Sequence, residues 1–300
     1  MEEATPAATD NQSYWLRWQV PVCALIFILP ALVSVTLIIN RNRRIKAPLG
    51  PSNSIPTHHH LWVPCWRFLH PRWLLIYRAL AFFTMAAMLY QFIITLGLFT
   101  FFFYTQWTFT LVIVYFGLGT LVSVHGCWTL SAKSSESGEQ ADKAIRFWGN
   151  LMEHIYQACA GAVMLTDIVF WCLLVPFMLN EEFQLTLLIA FMHSINAVFL
   201  ILDSFLNSIP FPWFGLVYFV LWSCSYIIFQ WALHLCCVAW WPYPFLDLSN
   251  PWAPMWYLAM ALIHIPCYGL YMLIVKAKDF ICSRLFSDSY KRISSDKKQP

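Results

Sequence analysis

Apolar residues run along the chain in seven long stretches instead of alternating with polar ones. They fall near 20–39, 74–96, 108–130, 155–178, 185–206, 216–240 and 254–275. At about 1.5 Å per residue, each stretch wound as a helix covers the roughly 30 Å of a hydrocarbon core. Ala24 to Ile39 and Leu173 to Met178 run apolar on both faces, whereas the strands of a membrane barrel alternate in segments of about ten residues. The pattern predicts an all-α fold, a polytopic transmembrane helix bundle with seven spans. It divides the chain into a short tail, 1–19, a membrane domain, 20–275, and a basic tail, 276–300, and leaves no room for a second folded domain.

Charge refines this picture. Arg41, Arg43, Arg44 and Lys46 follow the first span, and Arg67, Arg72 and Arg78 are counted with the loop that leads into the second; a loop so rich in basic residues is expected in the cytosol. Alternation then puts Lys133, Lys143 and Arg146 on the same side, with Lys276, Lys278, Arg284, Lys291, Arg292, Lys297 and Lys298. Only Arg17 falls opposite. The expected topology has the N-terminus exterior or lumenal and the C-terminus cytosolic, with Glu181, Glu182 and the aromatic loop from Trp241 to Trp256 outside. The acidic start, with Glu2, Glu3 and Asp10, is unlike the basic start of a cleaved signal peptide, so the first stretch reads as a retained span.

Composition excludes other classes. Charged residues make up 11% of the chain, against roughly a quarter in soluble domains. The formal charge of +3 is too small for a nucleic-acid binder that neutralises phosphates. With 25 Phe, 16 Trp and 13 Tyr, the chain cannot be disordered.

Small motifs add less. Eight of the ten cysteines lie in the expected spans as small apolar packing residues; Cys65 and Cys282, near membrane ends, are the two open to palmitoylation. His58, His59 and His60 lie in a Pro-rich loop without a carboxylate partner, so neither metal nor cofactor is expected. Asn11-Gln12-Ser13 is a glycosylation acceptor. Lys297-Lys298-Gln299-Pro300 has the form of a dilysine retrieval signal, consistent with the endoplasmic reticulum or early secretory pathway; the plasma membrane is the other expected location. Pro30, Pro176 and Pro266 can kink their spans. No repeat with matched broken helices, the mark of many transporters, is visible.

Polar residues within the spans are the candidate chemistry, because each is costly in hydrocarbon and therefore faces the protein interior. At 100° per residue, His193, Asn196, Asp203 and Asn207 share one helical face, as do Ser223, Tyr226, Gln230 and His234, and again Tyr257, His264, Tyr268 and Tyr271. The rise per residue sets His193 about 12 Å and His234 about 9 Å below the outer ends of their spans, in reach of a common layer. Asp167 lies mid-span, where it is protonated or paired.

Three segments then become recognisable together: Phe103-Tyr104-Thr105-Gln106-Trp107-Thr108-Phe109-Thr110, His193-Ser194-Ile195-Asn196 and Trp240-Trp241-Pro242-Tyr243-Pro244-Phe245-Leu246-Asp247. They resemble the rolling stone and androgen-induced protein superfamily, closest to its plant rolling stone-like members, over spans two to seven. One branch contains intramembrane hydrolases of fatty acid esters of hydroxy fatty acids with a Thr nucleophile and a His. The resemblance implies that chemistry, yet the Thr position is Leu111 here, with Thr110 one residue early, and the His position is Asn196, with His193 one turn before it. Asn has no lone-pair nitrogen that can take a proton from a hydroxyl.

The expected function is accordingly that of a multi-pass membrane protein with a polar pocket of Thr108, Asp167, Asn196, Asp203, Tyr226, Gln230 and His264, binding a lipid or a membrane-protein partner within the bilayer and no nucleic acid. The first alternative is an intramembrane lipid ester hydrolase using Thr110 or Thr108 with His193 or His234. The second is a proton-coupled transporter using Asp167, His193 and Asp203.

Overall fold

The computed structural model describes residues 14–46, 58–132, 139–178, 187–236 and 240–291. Asn11-Gln12-Ser13, Lys133, Glu181, Glu182, Cys237 and Lys297 to Pro300 lie outside them. The principal helices are α1 (Gln19–Lys46), α2 (Pro71–Leu96), α3 (Tyr104–Ala132), α4 (Glu139–Val169), α5 (Leu187–Met192), α6 (Ile195–Leu206), α7 (Leu216–Cys236) and α8 (Ala253–Leu285). Among the described residues there is no strand, only two isolated antiparallel bridges, Pro64 to Asn207 and Trp66 to Tyr290. Among the described residues, seven helical segments are long and apolar enough to cross a membrane, with α5 and α6 together making the fifth. The chain is an all-α protein with seven membrane-spanning helices.

Local chemistry sets the helix limits. Pro71 opens α2, where its missing N–H costs nothing, and the His70 side chain accepts the N–H of Arg72 at 3.2 Å. Gly97 closes it with φ +76°, donating its N–H to the Ile93 carbonyl. At the end of α4 the helix widens into a π turn over Phe170–Leu174, in which the Val175 N–H reaches the Phe170 carbonyl, before one further α turn, Val175–Met178. Pro176 explains the widening, because it cannot donate to the carbonyl four residues back and its ring crowds that carbonyl. Two helices outrun their hydropathy. The fourth span begins at Ala144 instead of 155, and α8 continues to Leu285 instead of ending at 275.

The described chain forms two compact units: Met1–Ala47 with Val220–Pro266, and Pro48–Phe219 with Cys267–Pro300. In the smaller unit, the Cys224 thiol donates to the Phe27 carbonyl at 3.4 Å, and Phe27 packs edge-on against Trp231. Trp231 donates to the Tyr257 hydroxyl at 2.9 Å, which donates to the Leu246 carbonyl at 3.1 Å. His234 stacks on Trp241 and meets Tyr14 and Trp15. Burial raises the Tyr14 phenol pKa; the Asp247 carboxylate, to which the hydroxyl donates, also raises it, and the bond from Trp241 partly offsets both.

In the larger unit, α2 and α4 pack on α3, and α6 packs on α2, α3 and α4. The segment 58–69 closes one end. A Cβ on Gly126 of α3 would lie 2.2 Å from the Trp62 ring, one on Gly149 of α4 would lie 2.4 Å from Leu61, and Pro64 bridges Asn207 at the end of α6. Thus α3 and α6 both run toward this segment, and α4 runs away from it.

Candidate functional site: two polar layers in the larger unit

The first polar layer is centred on Arg78, which the charge count places in a loop before the second span. That expectation is corrected. Arg78 is the eighth residue of α2 and fully buried, on the same face as Leu74, Ala81 and Met85. A guanidinium is tolerated there only because it is paired. Its Nε donates to Asp203 Oδ1 at 3.0 Å, and its Nη1 donates to the Leu61 carbonyl at 2.8 Å and to Ser123 Oγ at 3.0 Å. The other carboxylate oxygen of Asp203 accepts the Tyr115 hydroxyl at 2.5 Å and Asn207 Nδ2 at 2.6 Å. Arg78 Nη2 has no hydrogen-bond partner. Gly119 makes room for this arginine, since a Cβ there would lie 3.1 Å from Arg78 Cδ.

Beside it lies a hydroxyl chain. Ser204 Oγ shares bonds of 2.7 Å with the Tyr156 hydroxyl and 2.6 Å with the Tyr271 hydroxyl, and Lys278 Nζ donates to the Ser204 carbonyl at 2.7 Å. Tyr115 and Tyr156 stack with ring centroids 5.4 Å apart. Residues from α2, α3, α4, α6 and α8 therefore meet in one buried layer. Lys278, which the sequence assigns to a solvated basic tail, is buried within α8.

The second layer has a single carboxyl group, that of Asp167, with only neutral partners. Asn196 is fully buried at the start of α6 and donates to Asp167 Oδ1 at 3.5 Å, which also receives the Thr166 hydroxyl at 3.4 Å. The Asn196 carbonyl oxygen accepts the Ala197 N–H at 2.8 Å. His193 lies in a break of the fifth span, in the turn between α5 and α6. Its ring stacks on Phe170 with centroids 3.5 Å apart, and its carbonyl accepts Trp171 Nε1 at 3.0 Å. The π turn of α4 and the break of the fifth span thus meet at this layer.

Helical spacing relates the layers. Thr108 precedes Tyr115 by seven residues on the same face of α3, and Asn196 precedes Asp203 by seven on the same face of α6. Both therefore stand about 10 Å from the Arg78 layer, in the same direction. Asp167 follows Tyr156 by eleven residues on α4, about 16 Å in that direction. Between the layers the interior is apolar, with buried Leu111, Val112, Ala160, Val163 and Leu200.

The remaining candidates divide as follows. Thr108 is fully buried and Thr110 partly so, and the hydroxyls of both are without hydrogen-bond partners, as are Gln106 Oε1 and His193 Nδ1. Neither hydroxyl is bonded to an imidazole. Tyr226, Gln230 and His264 are buried on the faces that helical periodicity assigns them, with His264 Nδ1 donating to the Met260 carbonyl at 2.7 Å. These three and His234 belong to the smaller unit, while Thr108, Thr110, Asp167, His193, Asn196 and Asp203 belong to the larger. Among the described residues no cluster of His, Cys, Asp or Glu could hold a metal ion.

Sequence reasoning missed Arg78, Tyr115, Ser123, Tyr156, Ser204 and Lys278. A signal was present for Arg78, which falls in the 74, 78, 81, 85 register of an interior face, seven residues inside a helix announced by Pro71. Cys65 is fully buried and its thiol donates to the Phe205 carbonyl at 3.2 Å; burial pushes its pKa up to about 11, with Lys278 pulling the other way. It is not an accessible modification site in this fold.

Helices and layers together define an all-α multi-pass membrane protein with a charged, hydrogen-bonded interior. No family model, no curated protein and no solved structure matches the chain.

Proposed function

We propose that this membrane protein binds the polar part of a lipid, a carbonyl or hydroxyl group, in its larger unit at the layer of Thr108, Asp167, His193 and Asn196. One observation carries the reading: Thr108 Oγ1, Thr110 Oγ1, Gln106 Oε1 and His193 Nδ1 are buried polar atoms without protein partners. Each such atom costs about 1–3 kcal/mol when left unsatisfied, and native interiors keep them for a ligand or ordered water. Three of the four stand on the first two turns of α3. A lipid carbonyl or hydroxyl is the matching chemistry in a bilayer, where the tail remains in hydrocarbon while the polar group is satisfied inside the protein.

The rivals have less support. Hydrolysis needs a hydroxyl bonded to a base, and neither Thr108 nor Thr110 has one. Proton-coupled transport needs a polar path, and the Leu111, Val163 and Leu200 layer interrupts it. Membership of the rolling stone and androgen-induced group, an N-terminus outside or in the lumen, a cytosolic C-terminus and residence in the secretory pathway or plasma membrane belong to the same proposal. They rest on the three quoted segments and on the sorting of basic residues.

The test is lipid retention. Protein purified in mild detergent is extracted and its lipids quantified by mass spectrometry, beside Thr108→Val and Asn196→Leu. A class of lipid enriched over a control membrane protein and lost about tenfold in either folded variant supports the proposal. Retention that neither variant changes refutes it. An activity-based hydrolase probe that labels the wild type, but not Thr110→Ala or His193→Ala, replaces binding with hydrolysis.

A further inference from the structure

Away from both polar layers, the end of the larger unit carries a small backbone clasp. The Cys65 N–H donates to the Leu206 carbonyl at 2.9 Å, the Arg67 N–H to the Ser289 carbonyl at 2.8 Å, and the Lys291 N–H back to the Cys65 carbonyl at 2.8 Å. Trp66 Nε1 donates to the Phe205 carbonyl at 2.8 Å, and the Tyr290 hydroxyl donates to the Asp279 carboxylate. Buried Cys65, Cys282 and Tyr290 pack together beneath, with Trp66 against them. Two chain segments more than 200 residues apart are thereby fixed side by side.

The outer surface of this clasp combines apolar and basic groups. Phe68 is 73% exposed, Leu285 70% and Phe286 51%. Trp66 makes ring contacts with Phe68 at 5.8 Å and with Phe286 at 5.7 Å. Among them stand exposed Arg67, Arg284 and Lys291. Arg67 donates Nη1 to the backbone carbonyl of Asp288 at 3.3 Å, and Arg284 lies 4.1 Å over the Phe280 ring. Asp279 of α8 is engaged by Tyr290 and by Lys278 at 3.6 Å. Exposed Asp288 is the one acid in the turn of residues 286–289, against three cations.

Length places this surface at the edge of the bilayer. The helix α8 has 33 residues, about 50 Å. Residues 253–275 take about 35 Å of that, enough for the hydrocarbon core, so residues 276–285 run on at headgroup depth. Exposed aromatic and aliphatic side chains there, interleaved with Arg and Lys, match a membrane interface better than water or hydrocarbon.

We propose that the clasp of residues 65–69 and 286–291, with the last turns of α8, is a binding site for the phosphate of an anionic phospholipid. Arg67, Arg284 and Lys291 supply the charge, and Phe68, Leu285 and Phe286 insert beside the acyl chains. The backbone bonds hold these groups in place before a lipid arrives, so little ordering cost remains for binding. The site is separate from the Thr108 and Asn196 layer, and either reading stands if the other fails.

Native mass spectrometry of the full chain in detergent, titrated with phosphatidylserine or phosphatidylcholine of the same tails, tests this. Each basic residue near such a surface is worth about fivefold in affinity, so the variant Arg67→Gln/Arg284→Gln/Lys291→Gln loses about a hundredfold for phosphatidylserine and little for phosphatidylcholine. Protection of Cys65 from a maleimide reports whether the clasp is intact in the variant. If the variant opens the clasp, the wild type in molar salt gives the answer, because screening removes the preference for phosphatidylserine while the backbone bonds persist. Equal affinity for both lipids, an undiminished preference in a variant with Cys65 protected, or a preference that survives molar salt overturns the proposal.

Discussion

Removing the carboxylate from Asp203 tests the account of the Arg78 layer most directly. In Asp203→Leu the guanidinium of Arg78 stays buried and keeps only neutral acceptors, the Leu61 carbonyl and Ser123. An uncompensated charge of this kind costs about 3–5 kcal/mol. Arg78→Met leaves the carboxylate with the two neutral donors Tyr115 and Asn207 at 2.5 and 2.6 Å, so its cost falls at the lower end, about 3 kcal/mol. The double variant Arg78→Met/Asp203→Leu removes both charges and replaces them with side chains of similar length, and its cost drops to about 1–3 kcal/mol, that of leaving the Tyr115 and Asn207 donors unpaired. It is therefore more stable than Asp203→Leu alone. Unfolding in mixed micelles with increasing dodecyl sulfate, followed by tryptophan fluorescence, measures all four proteins, and the cycle gives a coupling of at least about 2 kcal/mol. Single variants that cost under about 1 kcal/mol, or a double variant as costly as the two singles added, refute the buried ion pair.

Two further outcomes follow from packing and protonation. Gly126→Ala forces a Cβ to 2.2 Å from the Trp62 ring, so Trp62 must move, and a loss of about 1–3 kcal/mol is expected in the same assay; an unchanged midpoint contradicts the close approach. Maleimide modification of Cys65 is expected to be negligible at neutral pH, because a thiol with pKa near 11 is almost wholly protonated there and is covered by the clasp. The rate rises with pH through that value, and prompt labelling of Cys65 at pH 7 in the folded protein excludes the burial described.

The spans were legible because a fixed hydrocarbon thickness selects helix length. Their ends were less so, since α4 begins among polar residues and α8 carries Lys278 inward, and a hydropathy pattern registers only the apolar portion of either. The interior faces of α6 and α8 could be read from periodicity alone: Asn196, Asp203, Asn207, Tyr268 and Tyr271 are buried as their spacing demands. Arg78 was misread because a basic residue near a span end looks like a solvated charge until its acidic partner is known. That partner lies 125 residues away, and local pattern carries no information about such a pairing. The break at His193 and Ser194 has neither Gly nor Pro to announce it. It is supported from outside the helix, by Trp171 on the neighbouring π turn.

The separation of Arg78 from Asp203 also has a consequence during synthesis. At roughly 5–20 residues per second, the ribosome needs roughly 6–25 s to reach the aspartate after the arginine has been made. Through that interval α2 carries a cation without a counter-ion. Until α6 arrives, the arginine has only the Leu61 carbonyl and the Ser123 hydroxyl among its partners, so its set of bonds is completed late in translation.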